Sequence, residues 1–230
     1  MSPCPFLSNG IVRKNLMALT GLFLCVFLVI HLAGNLQLLL PAEQARIQYN
    51  LYSELLSHNI LIKVIAYLLY ASIIAHAVYA LVLTLQARRA KGAQGYAYDK
   101  RDSVSPWYAR NMGVLGALLL VFIVIHMKDF WYEYKFTEMP VDAEGRKDLY
   151  AIVAAAYQEW WYVALYVFSM FVLGFHLLHG FHSAFQSLGV YHSKYNRWLK
   201  WAGRGYTAVI TIGFAIIPIY MYFTQNPELP

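Results

Sequence analysis

Six histidines stand inside long apolar runs of this 230-residue chain: His31, His76, His126, His176, His179 and His182. Ionisable side chains are expensive in hydrocarbon, and those found there face a bundle interior and serve metal binding or proton transfer. Their depth separates these roles, because a helix rises about 1.5 Å per residue from the basic residues that flank each run. His31 lies 17 residues beyond Lys14 and His126 lies 16 beyond Arg110, which puts both at roughly 25 Å from that edge. His76 lies 12 residues before Arg88, and His176 lies 10 before Gln186, at roughly 15–18 Å.

Four histidines on four runs thus form two pairs at two levels, each drawn from alternate runs that can face each other diagonally across a bundle. That is the arrangement expected of two haems with two imidazole ligands each. Neutral imidazole is a natural axial ligand, and filling both axial positions favours electron transfer over oxygen chemistry. Gly21, Gly34, Gly113, Gly116, Gly174 and Gly180 lie near these histidines and leave room for a flat ring. His179, one turn from His176, is an alternative ligand on the fourth run. The rival chemistry is a histidine proton relay in a transporter, which more often brings carboxylates to the helix centres, and none stands there.

The elements that position these residues follow from composition. Hydrophobic residues make up 60% of the chain and charged residues 13%, about half the charge of a soluble domain. They are collected into five runs near 15–40, 60–87, 109–132, 157–187 and 202–223. Each is long enough to cross a ~30 Å hydrocarbon core as a helix of ~20 residues. The runs are continuous and do not alternate, so a membrane barrel is excluded. The expectation is an all-α integral membrane protein forming one domain over 1–230, a haem-binding four-helix bundle plus a fifth helix. Pro41, the Gly92 and Gly95 pair, Pro106, Pro140 and Pro218 are placed in connections or near helix ends.

Charge gives the orientation. The amino-terminal arm, the second connection and the fourth hold 12 basic residues against two acids, Asp99 and Asp102; the opposite side holds six against ten. The faces carry +10 and −4, so the amino terminus is expected in the cytoplasm and the carboxyl terminus outside. The basic face is a topology signal and a candidate docking surface for an acidic partner; no nucleic-acid partner is expected. Arg13 and Lys14 precede the first run as in a signal peptide, but the run is too long and lacks a small-residue cleavage site, so it stays in the membrane. Cys4 and Cys25 form no ligand motif.

The strings FLVIHLAGN around His31, IAHAVYALV around His76, VIHMKDFW around His126 and HLLHGFHSAFQSLG from His176 to Gly189 are similar to the five-helix dihaem cytochrome b subunit of succinate:quinone oxidoreductases. This is the type with one large membrane chain, and it includes fumarate reductases. The last string resembles the family's His-x3-Gly-x8-Gly pattern, with Gly180 and Gly189 at the family's offsets, and this selects His176 over His179 and His182. The resemblance implies that His76 and His176 bind the haem b proximal to the cytoplasmic subunits, with Gly180 beside it, and that His31 and His126 bind the distal haem b. It implies a flavoprotein subunit with covalent FAD and an iron-sulfur subunit on the cytoplasmic face of a bacterial inner membrane. Electrons then pass between succinate or fumarate and a quinone, usually menaquinone. The complex can form a homo-oligomer. FAD and iron-sulfur clusters belong to the partners, because this chain has neither the cysteine ligands nor a nucleotide-binding motif.

Some fumarate reductases of this type carry a proton-conducting glutamate two residues before the fourth-helix ligand, where this chain has Gly174. A second family glutamate, used in quinone chemistry near the distal haem, corresponds to Glu54, with Glu43 as a rival. Asn35 and Gln37 are candidates to hydrogen-bond a quinone carbonyl, and equally for capping or interhelical bonds. Phe130, Trp131, Tyr132 and Tyr134, with Trp160, Trp161 and Tyr162, read as an interfacial aromatic belt on which a quinone ring could stack. His182, Ser183 and the basic connections are candidates for haem propionates, whereas His58 and His192 read as loop residues. The related cytochrome b subunits of hydrogenases, formate dehydrogenases and nitrate reductases are the nearest alternatives. The nitrate reductase type places ligands on its last helix, and here that run has no histidine.

Overall fold

The computed structural model describes residues 10–92, 103, 105–190 and 192–225; Cys4, Gly95, Asp99, Lys100, Arg101 and Asp102 lie outside them. Among the described residues the chain is all-α, with one isolated antiparallel bridge between Val141 and Lys147. In chain order, α1 (Gly10–Asn35) runs into a 3-10 turn (Leu36–Leu39) and is followed by α2 (Ala42–His58) and α3 (Ile60–Lys91). A short α4 (Trp107–Arg110) leads into α5 (Met112–His126), which continues through a π-helical turn (Met127–Tyr132) into α6 (Glu133–Phe136). Then come α7 (Leu149–Ala156), α8 (Trp160–Ser187) and α9 (Ser193–Gln225).

Five of these stretches are long and apolar enough to cross a membrane: Gly10–Leu39, Ile60–Ala90, Met112–Phe136, Trp160–Ser187 and Ser193–Gln225. Their outward faces expose Val29, Ile30, Leu68, Ile74, Val121 and Val124. In water such faces would be costly; in lipid they are the solvated surface. The chain is a multi-pass membrane protein.

Four spans close a ring, because α1 packs on α3 and α8, and α5 packs on the same two; α9 lies outside the ring against α8 and α1. Helices α1 and α5 are therefore diagonal, as are α3 and α8. Local signals set the ends. The Asn59 side chain accepts from the amides of Leu61 and Ile62 at 2.9 and 3.2 Å and starts α3, which satisfies otherwise orphaned donors. Gly92, at φ +69°, ends it in the left-handed region that favours glycine.

Three features depart from the sequence reading. Pro218 lies inside α9, buried, and not near a helix end; a membrane helix tolerates the lost amide because neighbouring helices surround the freed carbonyl. Helix α9 begins at Ser193, ahead of the apolar run, because its first turns are built from polar and aromatic residues that a hydropathy reading leaves out. The first and third connections contain α2 and α7, and His58 is the last residue of α2 and not a loop residue.

Helices α2 and α7 form a cap at the end of the bundle that carries His31 and His126. Asp148, fully buried, pairs with Arg46, accepts from Asn50 Nδ2 at 2.9 Å and caps α7 through the amide of Ala151 at 3.2 Å. Asn50 Oδ1 in turn accepts from the Tyr150 amide at 3.0 Å. Asp142 closes the preceding turn by accepting from the amides of Glu144 and Arg146 at 3.0 and 2.9 Å, and from Arg146 Nε at 3.1 Å. Burial raises the Asp142 carboxyl, but these bonds and that of Asn50 outweigh it and hold the group at about 2. The Tyr150 hydroxyl donates to Gln225 at 2.6 Å and ties the cap to the end of α9.

Candidate functional site

The ring of helices brings the four histidines into the pairs expected from their depth. His31 on α1 faces His126 on α5 across one diagonal, with ring centroids 5.8 Å apart and planes at 84°. His76 on α3 faces His176 on α8 across the other, at 6.3 Å and 64°. The imidazole opposite His76 is thus that of His176, not of His179. His182 instead bonds Asn196 Oδ1 through Nε2 at 3.0 Å.

These separations have a chemical meaning. A metal–imidazole bond is about 2.0 Å and the ring centre lies about 1.2 Å beyond the nitrogen, so two imidazoles on opposite sides of one ion have centroids about 6.4 Å apart. Both pairs match. Among the described residues no three His, Cys, Asp or Glu side chains converge on a metal position. Two imidazoles alone leave most of a coordination sphere open, so the pairs suit an ion whose remaining ligands arrive with it, as four do in a porphyrin.

The hydrogen bonds of the imidazoles support this use. Thr20 Oγ1 donates to the Leu16 carbonyl at 2.8 Å and lies 3.2 Å from His76 Nδ1. His126 Nδ1 lies 3.2 Å from the Tyr166 hydroxyl. Both use Nδ1, which leaves Nε2 for a metal. His176 Nδ1 is buried without a partner among the described residues, an orphaned polar atom of the kind left where a ligand or water belongs. Small residues admit the rings: a Cβ on Gly21 would stand 3.3 Å from His76, and one on Gly116 would stand 3.7 Å from His176. At Gly180 a Cβ would meet nothing within 4 Å, so that position is open.

Aromatic side chains wall the outer pair. Phe27 stacks on His31 and Phe122 on His126, with centroids at 5.1 and 5.8 Å, while Phe214 and Phe130 close the flanks at 5.6 and 5.5 Å. Asn35 Nδ2 donates to the His31 carbonyl at 2.8 Å and lies 3.4 Å from His31 Nδ1; its Oδ1 accepts from the Tyr49 hydroxyl at 3.3 Å. Burial, then the neighbouring Tyr52, pushes the Tyr49 phenol up, so it remains a donor. Asn35 therefore holds α1 to α2 beside the pair, the interhelical use open to it from sequence.

Other candidates fall elsewhere. Glu54 lies in the last turns of α2, and its carboxylate makes no hydrogen bond or ion pair among the described residues; only its carbonyl is used, by Ser57 and His58. Glu43 lies in the first turn of the same helix. In the aromatic belt, Tyr132, Trp160 and Trp161 are exposed as expected, but Tyr162 is buried and Phe130 packs on the core. Tyr162 points inward because its hydroxyl finds a carboxylate, donating to Asp129 Oδ2 at 2.8 Å. Tyr166 was absent from the sequence reading; its signal was the i, i+4 spacing from Tyr162, which puts both phenols on one helix face. An open cavity of about 280 Å³ at the cap end is lined by Asp129, Glu133, Glu159, Trp161 and Tyr162.

Comparison of the chain with protein-family models, with characterised proteins and with solved structures found no match.

Proposed function

We propose that this chain is the membrane-anchoring dihaem cytochrome b subunit of a succinate:quinone oxidoreductase, a succinate dehydrogenase or fumarate reductase. The observation that carries the reading is the pairing of four imidazoles, one from each helix of a four-helix ring, with ring centroids 5.8 and 6.3 Å apart, near the separation at which two imidazoles could share one ion. His31 and His126 hold the distal haem b, and His76 and His176, with Gly180 at hand, the proximal one. Haem so ligated supplies one-electron transfer without an open coordination position. The chain's own part is to orient the imidazoles through Thr20, Asn35 and Tyr166 and to exclude water with aromatic walls and the α2–α7 cap.

In this reading the flavoprotein and iron-sulfur subunits dock on the basic face, which is cytoplasmic by the positive-inside rule, the membrane being the bacterial inner membrane by the family resemblance. The amino terminus is then inside and the carboxyl terminus outside. Electrons pass between succinate or fumarate, at the partner subunits, and a membrane quinone, menaquinone by the family resemblance. The quinone candidates are Glu54 and Asn35 on the cap side. The chain is a subunit of the enzyme and does not oxidise succinate by itself.

The test is a pyridine haemochrome assay with a reduced-minus-oxidised spectrum on the detergent-purified protein. Two haems b per polypeptide is the expected result. One per polypeptide removes one of the two pairs from the assignment. None overturns the reading and leaves a histidine-lined transporter, for which proton-coupled uptake into vesicles is the next assay.

A further inference from the structure

Asp129, Tyr162, Tyr166 and His126 form a single hydrogen-bonded line. The Tyr162 hydroxyl lies 2.8 Å from Asp129 Oδ2 and 3.2 Å from the Tyr166 hydroxyl, which lies 3.2 Å from His126 Nδ1. The proton positions follow from the end of the chain. A carboxylate only accepts, so Tyr162 donates to Asp129. With that proton committed, Tyr166 must donate to Tyr162. Tyr166 then has only a lone pair to offer His126, whose Nδ1 must carry the proton. The Nε2 lone pair is left for a metal.

The other three imidazoles are supported differently. His76 meets a neutral hydroxyl whose own proton goes to a backbone carbonyl. His31 has an amide nitrogen near Nδ1, and among the described residues His176 Nδ1 has no partner. Among the described residues, only the His126 line ends on an acid. Donation toward a carboxylate makes an imidazole more basic and favours the more oxidised state of a metal bound to it.

We infer that Tyr166, Tyr162 and Asp129 are positioning residues that fix the Nδ1–H tautomer of His126 and lower the reduction potential of the distal haem alone. The inference rests on the dihaem reading for its redox half, and on geometry alone for its tautomer half. Phe130, Tyr157 and Phe122 pack around Tyr166 with centroids at 6.3, 5.3 and 4.9 Å. Its phenol therefore has little freedom to turn to another partner.

The experiment is a potentiometric titration of the purified protein and of its Tyr166→Phe, Tyr162→Phe and Asp129→Asn variants, followed by the haem absorbance bands. Tyr166→Phe keeps the Asp129 charge and the ring volume, so its effect isolates the hydrogen bond from the local field. The expected result is a positive shift of one haem in Tyr166→Phe, a smaller shift of that haem in the other two variants, and no change in the second haem. Two bound haems with unmoved potentials in Tyr166→Phe overturn the inference, as does an equal shift of both. If Tyr166→Phe does not fold, Tyr162→Phe leaves Tyr166 in place and decides by the same criterion. If the protein binds no haem, the dihaem reading fails and the tautomer half is read by 15N solid-state NMR of histidine-labelled protein. A single Nδ1–H signal for His126 that becomes mixed in Tyr166→Phe upholds it; a mixed signal in the parent protein overturns it.

Discussion

The Thr20 hydroxyl donates to the Leu16 carbonyl at 2.8 Å and, with its proton spent there, can only accept from His76 Nδ1 at 3.2 Å. The Thr20 hydroxyl, with the Met17 carbonyl beside it on α1, thus sets the tautomer of an imidazole on α3. Thr20→Val keeps the branched shape and removes the hydroxyl acceptor, leaving the Met17 carbonyl. Losing the partner of a metal-bound histidine costs about 10–100-fold in affinity. In the dihaem reading the variant should release its proximal haem first when a haem-scavenging apoprotein is added, with the distal haem retained; equal release of both would break the link between Thr20 and His76.

In the dihaem reading, the diagonal pairing predicts which haems are lost together. His31→Ala and His126→Ala should give the same spectrum, that of the proximal haem alone, while His76→Ala and His176→Ala should share the complementary one. The check is the low-temperature α-band of each variant. Loss of both haems from a folded His126→Ala protein would contradict the pairing.

Asp148 gathers Arg46, Asn50 and the α7 amide at the cap. Asp148→Ala leaves those donors without their acceptor, at a cost of about 1.5–3 kcal/mol for bonds to a charged group. Hydrogen exchange should rise across α2 and α7 while the mid-membrane amides of α3 remain protected. Unchanged protection in α7 would show that the cap is held by its apolar contacts alone.

Asp142 predicts a response to acid. Its folded value, about 2, lies below the ordinary 3.8 because the hydrogen bonds from Arg146, Glu144 and Asn50 outweigh the effect of burial. A depressed carboxyl stabilises the fold fully above its unfolded value, and the contribution is lost as pH falls through the folded one. The turn at 142–146 should hold down to about pH 4 and loosen between about 4 and 2. Asp142→Asn should be weaker at neutral pH and flat across that window, as read by exchange of the Arg146 and Gly145 amides.

The bundle was legible from sequence because the membrane supplies a ruler: runs of about 20 apolar residues can only be helices, and depth along them is arithmetic. The same ruler paired His31 with His126 and His76 with His176. It said nothing about the cap, whose polar contacts join residues far apart in the chain, as Asn50 and Asp148 are by 98 positions. It also read Tyr162 as part of the interfacial belt, because an aromatic side chain at a helix end carries no sign of which way it turns. The direction was decided by Asp129, on another helix.

The order of the four histidines along the chain has a consequence for assembly. His31, His76, His126 and His176 come from successive members of the ring, so the two pairs are interleaved and not nested. A ribosome feeding the membrane from the amino terminus completes the His31–His126 pair once the third span is in. The His76–His176 pair waits for 50 more residues, on the order of 3–10 s at about 5–20 residues per second. The two pairs are thus born in sequence, His31–His126 first, and α9 arrives last to cover a ring whose histidines are already in place.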